Sequence, residues 1–202
     1  MKLISLLEKL EYTCLQGSTD QEVKNVIYDS RKVEEGSLFI CIRGAVVDGH
    51  KFVPDVVAKG AKVLIVEEAV EAPEDVTVIL VKDTRYAMAF ISAAYFGYPA
   101  EKLKTIGITG TKGKTTTTYM VKSILENAGY KVGLIGTIEA IIGDKVIPAK
   151  NTTPESYVIQ EYFHEMAEAG CDCVVMEVSS QGLMLHRTRG ILFSYFGYFY
   201  KY

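Results

Sequence analysis

Residues 104–136 limit the possible folds of this 202-residue chain more strongly than any other segment. An apolar segment leads into a loop rich in glycine and threonine, and a helix-period segment follows from about residue 114 to residue 128. Gly129 stands where helices commonly end in a left-handed residue, and the apolar segment KVGLIG comes soon after. Strand, loop, helix and strand in this order predict a βαβ unit and therefore a parallel sheet.

The loop of this unit, GITGTKGKTTTT, has the features of a phosphate-binding loop. Glycine lets backbone N–H groups turn inward, and the N-terminus of the following helix adds the positive end of its dipole. Lys114 can then reach the terminal phosphates of a nucleotide, and the Thr115 hydroxyl can coordinate Mg²⁺. The alternative is a tight strand-to-helix turn whose lysines are solvated.

The spacing departs from the strict GxxxxGK[ST] motif, because Ile108 stands at the position of its first glycine. The strand before the loop and the helix after it still supply the structural context that the motif requires. Lys112 could simply be solvated. We expect Lys114 to be catalytic and Thr115 to bind metal. We expect the contacts to the nucleotide phosphates to come from the whole loop: Gly110, Thr111, Lys112, Gly113, Lys114, Thr115 and Thr116.

A second α/β pattern precedes this unit. Four short β-type runs lie between about residue 25 and residue 83, and a helix-period segment from residue 84 stops at Gly97 and Pro99. We therefore expect an α/β fold in two parts. A small N-terminal α/β domain would occupy residues 1–100, and the first part of a P-loop-type parallel-sheet ATPase domain would occupy residues 101–202.

The segment after the βαβ unit places an acid in an apolar strand. A hairpin turning at Gly143 and Asp144 and a helix over about residues 155–169 lead to the apolar run CDCVVMEV. Glu177 is the one acid in its apolar part, VVMEV, and a buried lone carboxylate costs several kcal/mol unless it is paired or bound to metal. Because ligands gather at the carboxyl ends of parallel strands, we expect Glu177 to bind Mg²⁺.

Composition excludes several classes of function. The 25 acidic and 22 basic side chains give a formal charge of −3, which offers no basic excess for nucleic acid or an anionic membrane. No segment reaches the ~20 apolar residues that span a bilayer, so we expect no membrane insertion. The four cysteines form no CxxC pair, which favours a reduced, cytoplasmic protein. We expect a monomer that acts on small molecules.

The loop sequence TGTxGKT resembles that of the Mur ligase family, the ATP-dependent amide-forming enzymes of peptidoglycan synthesis. Three further segments match the member of that family that adds the third residue of the peptide, and the similarity runs from about residue 25 to Arg189. These segments are DSRKVEEGSLFICIRGAVVDGHKF, NTTPES and MEVSSQGLMLHR. The resemblance implies ATP and Mg²⁺ as cofactors.

The resemblance also implies which residues bind the substrate. Residues 1–100 would bind a uridine nucleotide with Ser30, which could instead be a turn or cap residue. The loop GAVVDGHKF would hold the uracil through its backbone, because the side chains of residues 45–47 are apolar and form no hydrogen bonds. The implied contacts to the muramoyl-dipeptide are Asn151, Thr152, Thr153, Ser179 and Arg187.

Other interpretations stay open for several of these positions. Thr153 could cap the helix that follows Pro154. Arg187 suits a carboxylate or phosphate through its bidentate fork, but it could be an ordinary surface arginine. His186 has no acid or nucleophile spaced to make it a base, so we expect no catalytic role for it. Leu185 departs from the family, in which some relatives carry a substrate-binding Gln.

The implied activity is amide-bond formation on a cell-wall precursor. ATP would phosphorylate the D-glutamyl γ-carboxylate of UDP-N-acetylmuramoyl-L-alanyl-D-glutamate, and a diamino acid would attack the acyl phosphate. The sequence does not distinguish diaminopimelate from lysine as that diamino acid. Two alternatives remain: another P-loop kinase or NTPase, and a nucleotide-binding remnant without turnover.

The later segments of the family have no counterpart in the sequence. Neither does the C-terminal domain that selects the amino acid, so we expect an incomplete fragment. The last segment, GILFSYFGYFYKY, is either a buried strand cut from its neighbours or a non-native tail. An exposed tail with so many aromatic side chains would favour aggregation.

Overall fold

The structure, a computed structural model, describes residues 1–44 and 46–199. These residues form two compact units that divide between Tyr95 and Phe96. Ala45, in the loop expected to hold a uracil, and residues 200–202 of the last segment lie outside the described residues. In the part of the chain that is described, no helix is both long enough and apolar enough to cross a bilayer.

The first unit is built on a mainly parallel sheet. Its strands are β1 (Thr13–Gln16), β2 (Asn25–Ile27), β3 (Ser37–Ile40), β4 (Val63–Val66) and β5 (Thr77–Leu80). Its helices are α1 (Leu3–Leu6), α2 (Val53–Ala58) and α3 (Thr84–Tyr95), with short 3-10 helices at Ser30–Lys32 and Gly49–Phe52. The strand order is β1-β5-β4-β3-β2, in which β2 to β5 pair in parallel and β1 pairs antiparallel with β5.

Apolar runs explain the strands of this unit. Every residue of β3 and β4 is buried, as expected for strands covered on both faces. Phe39 and Leu64 pack with Val56 of α2 in one core cluster. The four strands predicted from their apolar runs are confirmed as β2 to β5. β1 was not predicted, because three of its four residues are exposed and give no burial pattern.

The second unit contains the predicted βαβ unit. Its strands are β6 (Lys104–Gly110), β7 (Val132–Ile135), β8 (Glu139–Ile142), β9 (Lys145–Pro148), β10 (Cys173–Glu177) and β11 (Tyr195–Phe199). Its helices are α4 (Lys114–Asn127), α5 (Ser156–Glu168) and α6 (Ser180–Met184), with a short 3-10 helix at Pro99–Lys102. The order is β11-β6-β10-β7-β8-β9: the first four strands pair in parallel, and β7-β8-β9 pair antiparallel.

The register of the parallel strands brings three chain segments to one edge of the sheet. Glu177 at the end of β10 lies beside Ile108 of β6, and Met176 lies beside Ile135, the last residue of β7. The segments that follow β6, β7 and β10 therefore leave the sheet side by side. The predicted hairpin is also confirmed, since Ile142 pairs with Lys145 across the turn.

The last segment forms an edge strand. The strand interpretation is confirmed for β11, which pairs with β6, and Tyr195 is 68% exposed and Tyr198 is 64% exposed, as expected of a strand cut from its neighbours. Phe193 and Phe196 stack edge to face over Gly107 in β6, where an added Cβ would lie 2.7 Å from the Phe196 ring. Gly107, the first glycine of the predicted loop, thus makes room for aromatic packing within the sheet.

Candidate active site

The phosphate-type loop joins the end of β6 to the start of α4. Gly110 has φ 143° and Gly113 has φ 80°, and both values lie in the left-handed region that favours glycine. Gly113 is the N-cap of α4, and because it has no side chain it cannot cap the helix with a side-chain hydrogen bond. The first N–H groups of α4 thus lie at the loop without a side-chain cap, the geometry expected of an anion site.

Lys114 holds the loop closed in this structure. Its Nζ donates a hydrogen bond to the Gly110 carbonyl oxygen at 3.0 Å. A lysine can exchange this single contact for a phosphate oxygen without leaving its charge buried and unpaired. Lys112 and Thr116 are exposed, so the structure leaves the solvated interpretation of Lys112 open.

Thr115 and Glu177, the two predicted metal ligands, lie in direct contact. The Thr115 hydroxyl donates to Glu177 Oε2 at 3.0 Å. Glu177 is 1% exposed, and its carboxylate also accepts from the Thr137 N–H at 2.8 Å and the Thr137 hydroxyl at 3.1 Å. The Glu177 carboxylate thus accepts hydrogen bonds from three donors. Its oxygens are hard ligands of the kind that suit a cation such as Mg²⁺.

The predicted dipeptide-binding residues gather around a cavity of about 310 Å³ beside this carboxylate. The cavity is lined by all five of them: Asn151, Thr152, Thr153, Ser179 and Arg187. Sequence reasoning missed three further lining residues, Thr137, Lys150 and Gln181. The position of Thr137 just after a parallel strand was the available signal, because the carboxyl ends of such strands line ligand sites.

Thr153 has a structural role in addition to its place in the cavity wall. It is 1% exposed, and its hydroxyl donates to the Glu177 carbonyl at 3.0 Å and accepts from the Ser179 N–H at 2.9 Å. The cap interpretation was wrong, because α5 has Glu155 as its N-cap and makes no side-chain cap bond. Thr153 therefore ties its loop to the end of β10, and its buried side chain offers a ligand little surface.

Ser179 and Arg187 are both fixed by local contacts. Ser179 caps α6, where its Oγ accepts from the Gly182 N–H at 3.0 Å. Arg187 donates to the Thr153 carbonyl at 2.9 Å and to Glu155 Oε1 at 2.7 Å, and its side chain is only 11% exposed. The surface-arginine interpretation was therefore wrong. The buried Nε of Arg187 makes no hydrogen bond in the described structure.

The first unit contains a separate cavity of about 460 Å³ at the predicted uridine site. Ser30 lines it together with Tyr28, Phe39 and Phe52. Ser30 is not the cap of its 3-10 helix, since the side chain of Asp29 accepts from the Arg31 N–H. The hydrogen bond from Arg31, which also forms a 2.7 Å ion pair, lowers the pKa of Asp29 to about 2. This cavity combines aromatic walls with polar groups, as sites for nucleosides do.

A buried histidine, which sequence reasoning did not single out, fixes the loop beside this cavity. His50 is 8% exposed, and its Nε2 accepts from the Glu67 N–H at 2.9 Å. Its Nδ1 therefore carries the proton and donates to Asp48 Oδ1 at 2.6 Å. Gly49 allows the loop to pack closely, because an added Cβ would lie 2.7 Å from the Ile42 nitrogen. Hydrogen bonds that join His50 to Asp48 and to the Glu67 N–H thus hold the part of the loop that includes Gly49, which lines the cavity.

Comparison with known proteins places both units in one family. Residues 108–199 match the Mur ligase middle domain, and residues 22–96 match the model described as Mur ligase family, catalytic domain. The chain is 53% identical to a Clostridium perfringens protein named UDP-N-acetylmuramoyl-L-alanyl-D-glutamate--2,6-diaminopimelate ligase and 44% identical to the Bacillus licheniformis protein of that name. These alignments cover 96% and 94% of this chain but only 40% and 39% of the relatives.

Solved structures agree with this result. A structure of a ligase with the same name superposes with a TM-score of 0.80 at 23% identity, covering 98% of this chain and 40% of that one. MurF from Acinetobacter baumannii superposes with a TM-score of 0.62 at 27% identity, over 89% of this chain and 36% of that one. The chain spans about 40% of the length of the curated relatives. By sequence and by fold, this chain belongs to the Mur ligase family.

Proposed function

We propose that this chain supplies the nucleotide-sugar-binding and ATP-binding parts of a ligase that joins 2,6-diaminopimelate to UDP-N-acetylmuramoyl-L-alanyl-D-glutamate. The observation that carries the proposal is the contact between Thr115 and Glu177 at the phosphate-type loop, next to a polar cavity. The names of relatives that are 53% and 44% identical support the choice of substrates.

Residues 1–100 bind the uridine nucleotide in this proposal, with Ser30 in the wall of the larger cavity. Residues 101–202 form the ATP-binding part. Tyr28, Phe39 and Phe52 suit a base, since aromatic rings offer flat apolar surfaces. The backbone of the loop held by His50 supplies the polar contacts that distinguish one base from another.

ATP lies with its phosphates at the N-terminus of α4. Lys114 leaves the Gly110 carbonyl and pairs with a phosphate oxygen, while the loop N–H groups donate to the others. Thr115 and Glu177 would hold Mg²⁺, which commonly takes one or two carboxylates and fills its other positions with phosphate oxygens and water. The bound Mg²⁺ would neutralise charge on the phosphates.

The polar cavity holds the dipeptide part of the substrate. Lys150 can donate to its carboxylates, the positive charge of Arg187 in the cavity wall attracts them, and Asn151 and Thr152 supply further hydrogen-bonding groups. Because Thr137 contacts both Thr152 and Glu177, this cavity adjoins the metal-binding carboxylate. The chain thus holds a substrate carboxylate and a terminal phosphate close together, which is its contribution to acyl-phosphate formation.

Calorimetry on the 202-residue chain tests the proposal. We expect UDP-N-acetylmuramoyl-L-alanyl-D-glutamate and a non-hydrolysable ATP analogue with Mg²⁺ each to bind at one site. The change Asn151→Ala should weaken binding of the dipeptide-bearing ligand by roughly tenfold, from loss of a hydrogen bond of ~1–2 kcal/mol. It should leave binding of UDP-N-acetylmuramic acid, which lacks the dipeptide, unchanged.

A matched control is Asn127→Ala, since Asn127 is exposed and its side chain donates to the Ser123 carbonyl in its own helix. This control should change neither affinity. If ATP binds and is hydrolysed while no uridine ligand binds, the chain is a simple P-loop NTPase. If neither ligand binds, the proposed function is wrong.

A further inference from the structure

The turn after β7 packs directly against the carboxylate of Glu177, the proposed metal ligand. β7 runs parallel to β10 with Ile135 beside Met176, so Gly136 and Thr137 stand next to Glu177. A Cβ added at Gly136 would lie 2.6 Å from Glu177 Oε1. The backbone approaches the carboxylate this closely because residue 136 has no side chain.

Thr137 fixes both oxygens of Glu177. Its backbone N–H donates to Glu177 Oε1 at 2.8 Å, and its hydroxyl lies 3.1 Å from Oε2. Thr115 donates to the same Oε2 from the phosphate-type loop at 3.0 Å. The two contacts from Thr137 set the rotation of the carboxylate, so that Oε2 faces the loop. A carboxylate free to rotate would direct an oxygen at the loop only part of the time.

The same hydroxyl also reaches the polar cavity. Thr137 Oγ1 lies 3.0 Å from Thr152 Oγ1. A hydroxyl has a single proton, so Thr137 can donate either to Thr152 or to Glu177, and while it donates to Glu177 the bond between the two hydroxyls needs Thr152 as its donor. A ligand that takes the Thr152 proton, or supplies one, changes which contact Thr137 makes. The hydroxyl of Thr137 is therefore shared between the cavity and the carboxylate.

We propose that Thr137 is a positioning residue that aims Glu177 at the phosphate-type loop and, through Thr152, makes cation binding at the loop depend on occupancy of the polar cavity. The inference rests on the proposed function, because the cation, the nucleotide and the cavity ligand are those named above. It adds a residue and a coupling between the two sites.

The test measures Mn²⁺ binding by electron paramagnetic resonance, with a non-hydrolysable ATP analogue present. Thr137→Val removes the hydroxyl and keeps the backbone N–H and the side-chain shape. Loss of a group that orients a metal ligand typically weakens metal binding 10–100-fold, so we expect roughly tenfold weaker Mn²⁺ binding. Thr137→Ser keeps the hydroxyl and should restore the affinity to within about twofold of the original.

Coupling is measured by repeating the titration with UDP-N-acetylmuramoyl-L-alanyl-D-glutamate present. We expect this ligand to change the Mn²⁺ affinity of the unaltered chain by roughly fivefold, and to leave that of Thr137→Val unchanged. Thr13→Val, at an exposed threonine of β1, is the matched control and should behave like the unaltered chain. Thermal melts check that each variant folds.

Three outcomes separate the proposals. Mn²⁺ binding by Thr137→Val equal to that of the unaltered chain would overturn the positioning role. Coupling that persists in Thr137→Val would overturn the link through Thr152. If Glu177→Gln and the unaltered chain bind Mn²⁺ equally, Glu177 is not a metal ligand, and the proposed function fails first.

Discussion

Two loops of this molecule follow strands of parallel sheets, and they are held in opposite ways. The phosphate-type loop after β6 is held by Lys114 on a loop carbonyl and by Thr115 on a carboxylate, both through groups that a ligand can take over. The loop after β3 is held by His50, which is buried between Asp48 and the Glu67 N–H. The first loop can exchange its contacts, whereas residues 48–50 of the second are held by internal hydrogen bonds before any ligand arrives.

The difference follows from what each loop is proposed to bind. Phosphates and a cation bring charges that replace the internal contacts of the first loop, so those contacts need little strength of their own. Recognition through backbone groups requires these groups to be in place, because ordering a loop on binding would weaken affinity. Substitutions at the two loops should therefore change different measured quantities.

The largest effect is expected for Lys114→Ala. Removing a hydrogen bond to a charged phosphate loses ~1.5–3 kcal/mol, so affinity for an ATP analogue should fall by one to two orders of magnitude in calorimetry. The thermal midpoint should stay unchanged, because the lost internal bond joins a side chain to a loop carbonyl. Lys145→Ala, at a lysine that pairs with Glu165 on the surface, is the control. Unchanged nucleotide affinity would remove the phosphate-loop assignment.

His50→Ala should show the reverse pattern. It leaves the Glu67 N–H without its acceptor, and an unsatisfied buried group costs ~1–3 kcal/mol of stability. For a domain of this size the melting temperature of the first unit should fall by roughly 5–15 °C. Affinity for the ATP analogue should not change. Lys51→Ala, at the exposed neighbouring residue, should have no effect on either quantity.

A melting temperature for His50→Ala equal to that of the unaltered chain would mean that the first unit does not depend on this bond. Weaker binding of the ATP analogue by the same variant would show that the two loops are not independent. Either result would break the contrast between an exchangeable and a fixed loop.

The contrast itself was only partly predictable from the sequence. Periodicity and glycine placement predicted β6, α4, β7 and β10, because those signals are local. Resemblance to a family predicted five residues of the polar cavity. Thr137 and His50 were missed, since each acts through a partner far along the chain: Glu177 is 40 residues from Thr137, and Glu67 is 17 residues from His50. No spacing rule reports such contacts.

Thr153 shows the same limit from another direction. The sequence offered a substrate contact or a helix cap, and the structure gives its hydroxyl to the end of β10. Gly182 permits this packing, since an added Cβ would lie 2.8 Å from Thr153 Cγ2. A residue type and its neighbours did not identify a bond that depends on how α6 packs.

Acid should weaken the first unit through Asp29. The hydrogen bond from Arg31 lowers the Asp29 pKa from 3.8 to about 2, so the stabilisation is complete above 3.8 and is lost as the pH falls towards 2. Because Arg31 is 85% exposed and water screens the pair, the effect should be smaller than that of His50→Ala. Urea midpoints at pH 5 and pH 2.5 should differ more for the unaltered chain than for Asp29→Asn. Equal differences would exclude this pair as a source of acid sensitivity.

The smallest effect concerns the hydrogen bond between Tyr119 and Glu139, which joins α4, the helix after the phosphate-type loop, to β8. Tyr119 of α4 donates to Glu139 Oε1 at 2.8 Å, and burial, with this hydrogen bond, raises the Tyr119 pKa to about 12. A raised pKa means that the stabilisation is complete below the ordinary value near 10 and is lost as the pH rises towards 12. In an absorbance titration of the 13 tyrosines, Tyr119 should be among those that ionise late, together with Tyr162, whose pKa burial also raises.

Tyr119→Phe should reduce the late absorbance change by the share of one tyrosine, and Glu139→Gln should move that share to lower pH, because the carboxylate no longer disfavours a phenolate. Nucleotide affinity should change little in either variant, since neither side chain belongs to the loop. A late absorbance change of undiminished size in Tyr119→Phe would assign it to other tyrosines. A large loss of nucleotide affinity would mean that the contact between α4 and β8 sets the position of the phosphate loop, so that this loop too depends on a fixed support.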